Sequence, residues 1–259
     1  MTRALASTFE LSRFVESVRC SAPTRGRVHH VDRLPDGRTA LVLRVIERGR
    51  GDVYLVGPRT RALLKDATGF ERAVMVQFKP GWSTPLVGVP AHELTDRFVS
   101  IDDVWGDPAR ALVLELIGAS STTEVVERLT RAFARRARSF SEPRSASLAR
   151  RAARLFAEEG ARVNSVAARL GVTARHLRRA FADNIGVGPK RFARAARLQR
   201  AVRLARASSD WGRIAADTGY YDQAHLIADF GALVGLTPSA FAKRAREASA
   251  REWAAWPLG

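Results

Sequence analysis

The second half of the chain carries one helix-turn-helix pattern twice, and this duplication constrains the fold more than any other feature. In the first copy an apolar-periodic segment from Val163 to Leu170 meets a turn at Gly171, and Thr173 can cap a second helix running to about Ile185. Six positions agree between the copies: Gly171 with Gly219, Leu177 with Leu226, Phe181 with Phe230, Gly186 with Gly235, Pro189 with Pro238, and Phe192 with Phe241. The offset is 48 residues at the first pair and 49 at the others, so one turn residue is inserted in the second copy.

Length and composition indicate a two-domain globular protein. A chain of 259 residues exceeds the usual size of one domain, and 46% hydrophobic residues can supply ordinary cores. No apolar run approaches the ~18 residues that a membrane span needs, and the N-terminal residues lack the apolar core of a signal peptide. We therefore expect a cytoplasmic protein without membrane association. The single cysteine, Cys20, excludes an internal disulfide and supplies no metal-ligand cluster.

Positive charge is concentrated in the half that carries the repeat. The formal net charge is +17; residues 144–259 hold 21 Lys and Arg against 9 Asp and Glu, whereas residues 1–143 hold 22 against 17. Nearly all of these cations are arginine, whose planar guanidinium suits phosphates and guanine edges, although a biased genomic base composition also accounts for such a preference. The distribution predicts that the second half binds a polyanion.

The first half shows strand patterns separated by glycine and proline turns. Segments 27–31 and 39–46 flank Leu34-Pro35-Asp36-Gly37, in which Asp36 can bond its own backbone and Gly37 accepts a positive φ, so we predict a hairpin there. Further short strands are expected at residues 52–56 and 73–78. Several short strands with turns between them indicate a small antiparallel barrel or sandwich.

Helical patterns follow after Pro90. The segment AHELTDRF opens on that proline, and residues 107–117 and 122–138 carry apolar residues at helical spacing. These apolar faces have to be covered, either by the strands of the same domain or by a second subunit. Periodicity does not choose between the two, so a homodimer stays open.

No catalytic or metal site is expected in this half. The region holds only the adjacent pair His29-His30 and His92, and neighbours on a strand point to opposite faces. Nucleophile elbow, P-loop and paired-glycine motifs are absent from the sequence, so we expect neither an enzyme nor a cofactor. A hollow barrel can instead hold a small-molecule effector. Side chains of the type that lines such a cavity, for which ordinary packing is the alternative, are Arg38, Tyr54, Phe78 and Trp82.

A serine-rich stretch at residues 139–147 is expected to link the two domains. The predicted N-terminal domain then covers residues 1–138 and the C-terminal domain residues 148–247, followed by a tail at 248–259. A helix over residues 148–159 is expected to precede the first helix-turn-helix copy.

Three arginines distinguish the second helix of the first copy. Arg175, Arg178 and Arg179 fall at positions i, i+3 and i+4 and share a face distinct from that of Leu177 and Phe181. A helix of about 10–12 Å diameter fits the major groove of B-DNA, where each arginine can bind guanine O6 and N7 or grip a phosphate. A solvated charged helix face is the alternative. The location in a duplicated helix-turn-helix favours contact with DNA.

A long helix is expected to join the two copies, from Pro189 to about Ala207, and to hold two reading helices about 34 Å apart, one turn of DNA. Its arginines recur at three-residue spacing and wind around the helix, so only some of them can reach phosphate.

The second copy is predicted to read DNA less strongly than the first. Where the first copy has its three arginines, the second has Ala224, Ile227 and Ala228. Asp222 is expected to cap the helix, and Asp229 would repel phosphate if it faced the DNA backbone. The polar side chains left for base contact are Gln223 and His225. We expect specificity to come mostly from the first unit.

The segments VAARLGVTARHLRRAF, GVGPKRFARAARLQRAVRL and IAADTGYYDQAHLIADFGALVGLTPSAF resemble the AraC/XylS-type transcription regulators across about residues 148–246. In that family two helix-turn-helix units joined by a long helix bind promoter DNA. The resemblance implies these base-facing positions: Arg175, Arg178, Arg179, Gln223, Ala224, His225 and Ala228. Further candidate DNA contacts around them are Thr173, His176, Lys190, Arg191, Arg194 and Asp222.

The first half resembles, through LPDGRTALVL, VGPRTR, FKPGW and GVPAHELTDRFVSIDDVWG, an N-terminal domain found in some members of the family. In the wider family this domain is usually a cupin-like barrel that senses a small molecule and supports dimerisation. The resemblance therefore implies an effector, a homodimer and RNA polymerase as further partners.

The sequence predicts an α+β protein with a small N-terminal antiparallel β-barrel, cupin-like with added helices, and an all-α C-terminal domain of two helix-turn-helix units joined by a long helix. The function expected is sequence-specific regulation of transcription. Two alternatives are an architectural DNA-binding protein with little sequence preference and a barrel enzyme fused to a DNA-binding module.

Overall fold

The computed structural model describes residues 11–21, 29–47, 49–67, 69–249 and 254–256. The strands are β1 Val15–Ser21, β2 His29–Arg33, β3 Ala40–Glu47, β4 Arg50–Val56, β5 Leu63–Ala67, β6 Arg72–Phe78, β7 Phe98–Ser100 and β8 Ala254–Trp256. The helices are α1 Thr84–Val87, α2 Ile101–Trp105, α3 Asp107–Ile117, α4 Thr122–Arg138, α5 Arg144–Glu159, α6 Val163–Arg169, α7 Ala174–Ile185, α8 Pro189–Leu204, α9 Trp211–Thr218, α10 Gln223–Val234 and α11 Pro238–Ser249. A 3-10 helix covers Ala91–Leu94.

The N-terminal domain is an open antiparallel sheet, and the prediction of a barrel is wrong. Six strands lie in the order β7-β4-β3-β6-β1-β8, and β2 pairs with β5 in a separate two-stranded sheet. Within the described ranges the edge strands β7 and β8 do not pair with each other, so the sheet does not close. The physical reason is that helices cover the apolar face of the sheet, which removes the need for closure. A cupin-like barrel is therefore not the architecture of this domain.

The helices α3 and α4 cover that face from the same domain. Their buried side chains, among them Leu116 and Phe133, share one core with Leu41 and Leu43 of β3. The rings of Phe133 and Phe78 meet edge to face at 5.6 Å. Burying an aromatic side chain of this size contributes about 1.5–3 kcal/mol. The predicted helices at 107–117 and 122–138 are confirmed, and their apolar faces are covered within the subunit.

The predicted hairpin at Leu34–Gly37 is wrong in its pairing, although its turn chemistry is right. The carboxylate of Asp36 accepts from the Arg38 amide at 2.9 Å, and Gly37 has a φ of +66°. The flanking strands nevertheless diverge, because β2 pairs with β5 whereas β3 pairs with β4 and β6. The turn instead packs against the C-terminal domain. A Cβ on Gly37 would lie 2.5 Å from the Phe192 ring of α8.

The helix predicted over AHELTDRF is wrong beyond its first turn. Only Ala91–Leu94 is helical, as a 3-10 turn with Pro90 at its N-cap. Asp96 then has a φ of +59°, which right-handed helices do not contain, and the chain enters β7. Its side chain bonds to Thr60, a contact that local sequence patterns do not report.

Each helix-turn-helix unit has its own hydrophobic core, and α8 belongs to both. The first core contains the rings of Phe156, Phe181 and Phe192, with Phe181 5.7 Å from Phe156 and 5.6 Å from Phe192. The second contains Phe230 and Phe241, whose ring centroids are 5.6 Å apart. The N-terminal end of α8 packs in the first core and its C-terminal half in the second, so the two units share one rigid axis.

Two further observations concern the end of the chain. Residues 254–256, which the sequence placed in a tail, form β8 and pair with β1 at the edge of the N-terminal sheet. In the described ranges no single helix is long and apolar enough to span a membrane; the pair Gln223–Val234 and Pro238–Ala245, bent by 57°, meets the length and composition criteria only together.

Candidate nucleic-acid interface

The first reading helix, α7, begins as its sequence predicts. Gly171 has a φ of +67°, which lets the chain reverse after α6 without side-chain strain. Thr173 takes the N-cap position, and its hydroxyl accepts from the His176 amide at 3.1 Å. This hydrogen bond satisfies one of the amides that a helix start leaves unpaired. The first turn of α7 is thereby fixed.

The two faces of α7 have opposite character. Leu177, Ala180 and Phe181 are buried against α5 and α8, whereas the predicted contacts Arg175, His176, Arg178 and Arg179 are all exposed. An exposed row of guanidinium groups on a firmly packed helix is the geometry that groove contact requires. The structure therefore brings together the first-copy candidates at one surface.

The second reading helix, α10, is capped by an aspartate. Asp222 accepts from the His225 amide at 2.7 Å, so the carboxylate that the sequence assigned to capping does cap the helix. Gln223, Ala224, His225 and Ala228 are exposed on its outer face, as is Ile227. This face offers two polar side chains where α7 offers four.

Asp229 is turned away from the exposed face of α10. It is buried, and its carboxylate accepts from Arg194 Nε of α8 and, at 3.1 Å, from the Tyr220 hydroxyl. Asp229 therefore does not face a DNA backbone. The same contact gives Arg194 a structural partner, so its predicted role as a phosphate contact competes with an ion pair to α10.

Arg200 of α8 also binds protein groups. Its guanidinium donates to the carbonyl oxygens of Phe156 at 3.3 Å and Ala157 at 3.0 Å in α5, and of Thr218 at 3.3 Å in α9. Burial, and then the neighbouring cations Arg197 and Arg203, lower the pKa of Arg200 from its ordinary value. This arginine joins the ends of two helices, whereas Lys190 and Arg191 at the start of α8 are exposed.

Tyr221 is a candidate contact that the sequence reasoning missed. Its side chain is 92% exposed immediately before the cap of α10, while the adjacent Tyr220 is buried. A large ring held in solvent at the start of a reading helix is placed to contact a sugar or phosphate. The signal was present in the sequence, because the residue inserted between the two copies falls in this turn.

The four candidate effector residues separate into two groups. Arg38 and Trp82 line one cavity of about 670 Å³ between the N-terminal domain and helices α5 and α8. Phe78 is fully buried in the N-terminal core. Tyr54 lies elsewhere on β4, 5.8 Å from the Phe98 ring and 5.0 Å from the Arg44 guanidinium, and burial raises its pKa.

Trp82 is enclosed by cations in that cavity, which we call the Trp82 cavity. The Arg150 guanidinium of α5 lies 3.7 Å from the centroid of the indole, and that of Arg13 lies at 4.9 Å. Glu142 accepts from both arginines. Burial, followed by repulsion from Arg13 and Arg154, lowers the pKa of Arg150 to about 10. The site is thus electropositive despite the carboxylate.

A second cavity of about 650 Å³ lies between the outer face of the sheet and the other end of the C-terminal domain. Arg38 lines this cavity as well as the Trp82 cavity. The wall contributed by the C-terminal domain includes Trp211 and Phe241, which belong to the second helix-turn-helix unit. Arg38 therefore lies where both helix-turn-helix units meet the N-terminal domain.

Comparisons with known proteins match the two halves separately. Residues 166–244 match the family model of a helix-turn-helix domain, and residues 5–100 match a domain of unknown function, DUF6597. A comparison with curated proteins gave no match. Among solved structures the chain is similar to ToxT from Vibrio cholerae O395, at 9% identity over 90% of this chain and 98% of that chain, with a TM-score of 0.44. It is also similar to unsaturated fatty acid-bound ToxT from strain SCE256, at 9% identity over 87% and 94%, with a TM-score of 0.44.

The helix-turn-helix match covers α7, α8, α9 and α10 in full, together with the two caps described above. Residues 166–244 therefore carry a helix-turn-helix domain, and this finding supports the resemblance to the AraC/XylS-type transcriptional regulators that the sequence predicts.

Proposed function

We propose that this DNA-binding regulator recognises specific sequences, that α7 and α10 enter adjacent major grooves, and that α7 supplies most of the sequence preference. The observation that carries the proposal is the difference between the exposed faces: Arg175, Arg178 and Arg179 on α7 against Ala224, Ile227 and Ala228 on α10. Arginine forms paired hydrogen bonds with guanine O6 and N7, whereas an alanine methyl group discriminates bases weakly.

The test compares affinity for selected and random duplexes. Arg178→Ala and Arg175→Ala should each weaken binding to the preferred site by about 1–3 kcal/mol, or about 5- to 150-fold. Each should weaken binding to random DNA much less. Arg110→Ala, on the exposed surface of α3, removes the same charge far from the interface and serves as the control. Equal weakening on every sequence, with the salt slope reduced by about one, would identify phosphate contacts and refute base reading.

We further propose that the regulator responds to an anionic effector with a flat apolar body, bound in the Trp82 cavity. The lining supports this class, since its six basic side chains outnumber its three acidic ones even with Glu142 beside Arg13 and Arg150 as a fourth carboxylate: Arg13, Arg38, Lys79, Arg150, Arg154 and Arg203 against Glu16, Asp36 and Glu158. The indole and guanidinium planes suit a planar ligand, and the cations suit a carboxylate or phosphate. Because both domains form its walls, an occupant that prefers one domain arrangement shifts that equilibrium.

Calorimetric titration with 1-naphthoate, decanoate and inorganic phosphate tests the effector class. The proposal expects 1-naphthoate to bind and Arg150→Ala to abolish binding, with Trp82→Ala weakening it. Arg151→Ala is the matched control, because its side chain is exposed on the same helix and does not line the cavity. Binding that survives Arg150→Ala would remove the effector from this cavity. A homodimer and contact with RNA polymerase remain predictions from the family resemblance.

A further inference from the structure

Two segments of the N-terminal domain, residues 57–62 and 90–97, touch both reading helices, and we call them the bracket. They lie in direct contact, since a Cβ on Gly57 would lie 1.6 Å from the Leu94 carbonyl oxygen. Two backbone hydrogen bonds join them: the Gly57 amide donates to Arg97 at 3.1 Å, and the Asp96 amide donates to Pro58 at 3.0 Å. The bracket is therefore one structural unit although its parts are distant in sequence.

The Asp96 side chain fastens the bracket. One carboxylate oxygen accepts from the Thr60 amide at 2.9 Å, and the other accepts from the Thr60 hydroxyl at 2.5 Å. The Arg59 guanidinium lies 3.5 Å from the same carboxylate. Among the described residues Asp96 is the only non-glycine with a positive φ, a conformation that costs about 1 kcal/mol or more. Such a conformation persists when surrounding contacts over-determine it, and the bonds to Thr60 do so.

The bracket contacts the C-terminal end of the first reading helix. The Thr95 hydroxyl donates to the carbonyl oxygen of Gly186, the residue that follows α7, at 2.7 Å. Both bracket segments surround that glycine, because a Cβ there would lie 2.7 Å from the Ala91 carbonyl and 2.9 Å from Pro58 Cγ. On α7 itself, Asp183 lies 3.8 Å from His92 of the bracket.

The bracket also contacts the C-terminal end of the second reading helix. The Ala62 amide donates at 2.7 Å to the carbonyl oxygen of Leu233, in the last turn of α10. The last carbonyls of a helix have no partner within the helix, so each bond satisfies an acceptor that would otherwise need water. The bracket thus donates one hydrogen bond to a carbonyl oxygen at the C-terminal end of each reading helix.

We propose that Asp96 is a positioning residue for DNA reading, which fixes the two reading helices relative to each other by fastening the bracket. The helices α7 and α10 are also joined through α8, and the bracket closes this arrangement into a ring of contacts. The ring adds a support against rotation of one unit about α8, beside the Arg200 bonds that join α5 to α9. Half-site spacing on DNA depends on this rotation. The proposal rests on the proposed function, because it treats α7 and α10 as the reading helices.

The test measures the distance between the two units in the full-length protein without DNA. Spin labels are placed at Ala168→Cys in α6 and Ala216→Cys in α9, equivalent exposed positions of the two copies. The background carries Cys20→Ser, which removes the single native cysteine. Double electron–electron resonance then gives the distribution of distances between the labels. The measurement needs no DNA, so it succeeds or fails independently of the proposed reading function.

Four variants separate the fastening from general structural damage. Asp96→Ala and Asp96→Gly remove the bonds to Thr60, and the glycine keeps the positive φ without strain; both should broaden the distance distribution. Asp96→Asn keeps an acceptor and tolerates a positive φ, so it should restore the narrow distribution. Asp103→Ala, at an exposed acid of the same domain, should leave it unchanged.

A narrow, wild-type distribution in Asp96→Gly would overturn the proposal, as would an equal broadening in Asp103→Ala. If Asp96→Ala does not fold, Thr95→Val tests the bracket in its place. This variant removes the bond to Gly186 and preserves the shape of the side chain, so it should also broaden the distance distribution. On DNA, a folded Asp96→Gly protein should tolerate altered spacing between two selected half-sites that the wild type rejects. Unchanged spacing preference together with an unchanged distance distribution would assign Asp96 to local structure alone.

Discussion

The strongest prediction for the C-terminal domain concerns Asp229, which fastens the second reading helix to α8. The residue is 8% exposed, and its carboxylate accepts hydrogen bonds from Arg194 and from Tyr220. Asp229→Ala removes both bonds together. The Tyr220 hydroxyl is then left buried without its acceptor, while Arg194, whose side chain is 43% exposed, can turn to water.

The magnitude follows from those two partners. Breaking a fully buried ion pair costs about 3–5 kcal/mol, but the exposure of Arg194 reduces this share to about 1 kcal/mol. An unsatisfied buried hydroxyl adds about 1–3 kcal/mol. We therefore expect Asp229→Ala to lower the free energy of unfolding by about 2–4 kcal/mol, and Tyr220→Phe by about 1 kcal/mol. The double variant should cost less than the sum of the two, because the substitutions remove one shared hydrogen bond.

Urea unfolding followed by circular dichroism measures these differences. Asp217→Ala is the matched control, because it removes an acid whose side chain is 53% exposed and pairs with Arg213 on the same face of α9 at 3.7 Å, worth about 0.5 kcal/mol or less. An Asp229→Ala loss no larger than the Asp217→Ala loss would refute the fastening role. If Arg194 reaches phosphate once it is released, the salt slope of DNA binding by Asp229→Ala should rise by about one.

Three further predictions follow from single positions. Gly37→Ala should destabilise the protein by about 2–5 kcal/mol in urea unfolding, because it adds a collision with Phe192 to backbone strain, whereas Gly171→Ala, with a similar φ of +67° and open space around it, should cost about 1 kcal/mol. Burial, and then Asp229, raise the pKa of Tyr220. The unfolded chain therefore loses the phenol proton at a lower pH than the folded protein does. The free energy of unfolding should then fall as pH rises above about 10, by up to about 1.4 kcal/mol per pH unit, and Tyr220→Phe should remove this pH dependence. Tyr221→Ala should weaken DNA binding in an anisotropy titration without changing urea stability, because the ring is 92% exposed; unchanged affinity would exclude it from the interface.

The C-terminal domain could be predicted closely because its signals are local. Thr173 and Asp222 precede their helices by one residue and bond to amides three residues on, so a short window of sequence contains both partners. The turn glycines act through their own φ. The apolar positions that recur in both copies then specify two similar cores, and the structure contains both.

The N-terminal domain was predicted less well because its decisive contacts are distant in sequence. The strand β2 pairs with β5 rather than β3, and nothing in the turn at Leu34–Gly37 encodes that choice. Asp96 ends a helical pattern through bonds to a threonine 36 residues earlier. Aromatic type alone did not separate Trp82, at a cavity, from Phe78, in the core, because Phe78 ends a predicted strand, Trp82 follows shortly after it, and only packing distinguishes their surroundings.

The two copies also differ in how they use their polar side chains, and this difference supports the unequal roles proposed for them. Position 180 in the first copy is an alanine packed in an aromatic core, whereas its counterpart in the second, Asp229, reaches α8 through Arg194. The second unit thus uses a charge for attachment and exposes alanine on its outer face, while the first attaches through Phe181 and exposes arginine. A unit with few long polar side chains gains contact with DNA only when its backbone is placed close to the groove. If the proposed function holds, accurate placement of α10 by Asp229 and by the bracket contributes to DNA recognition what the outer face of α10 lacks.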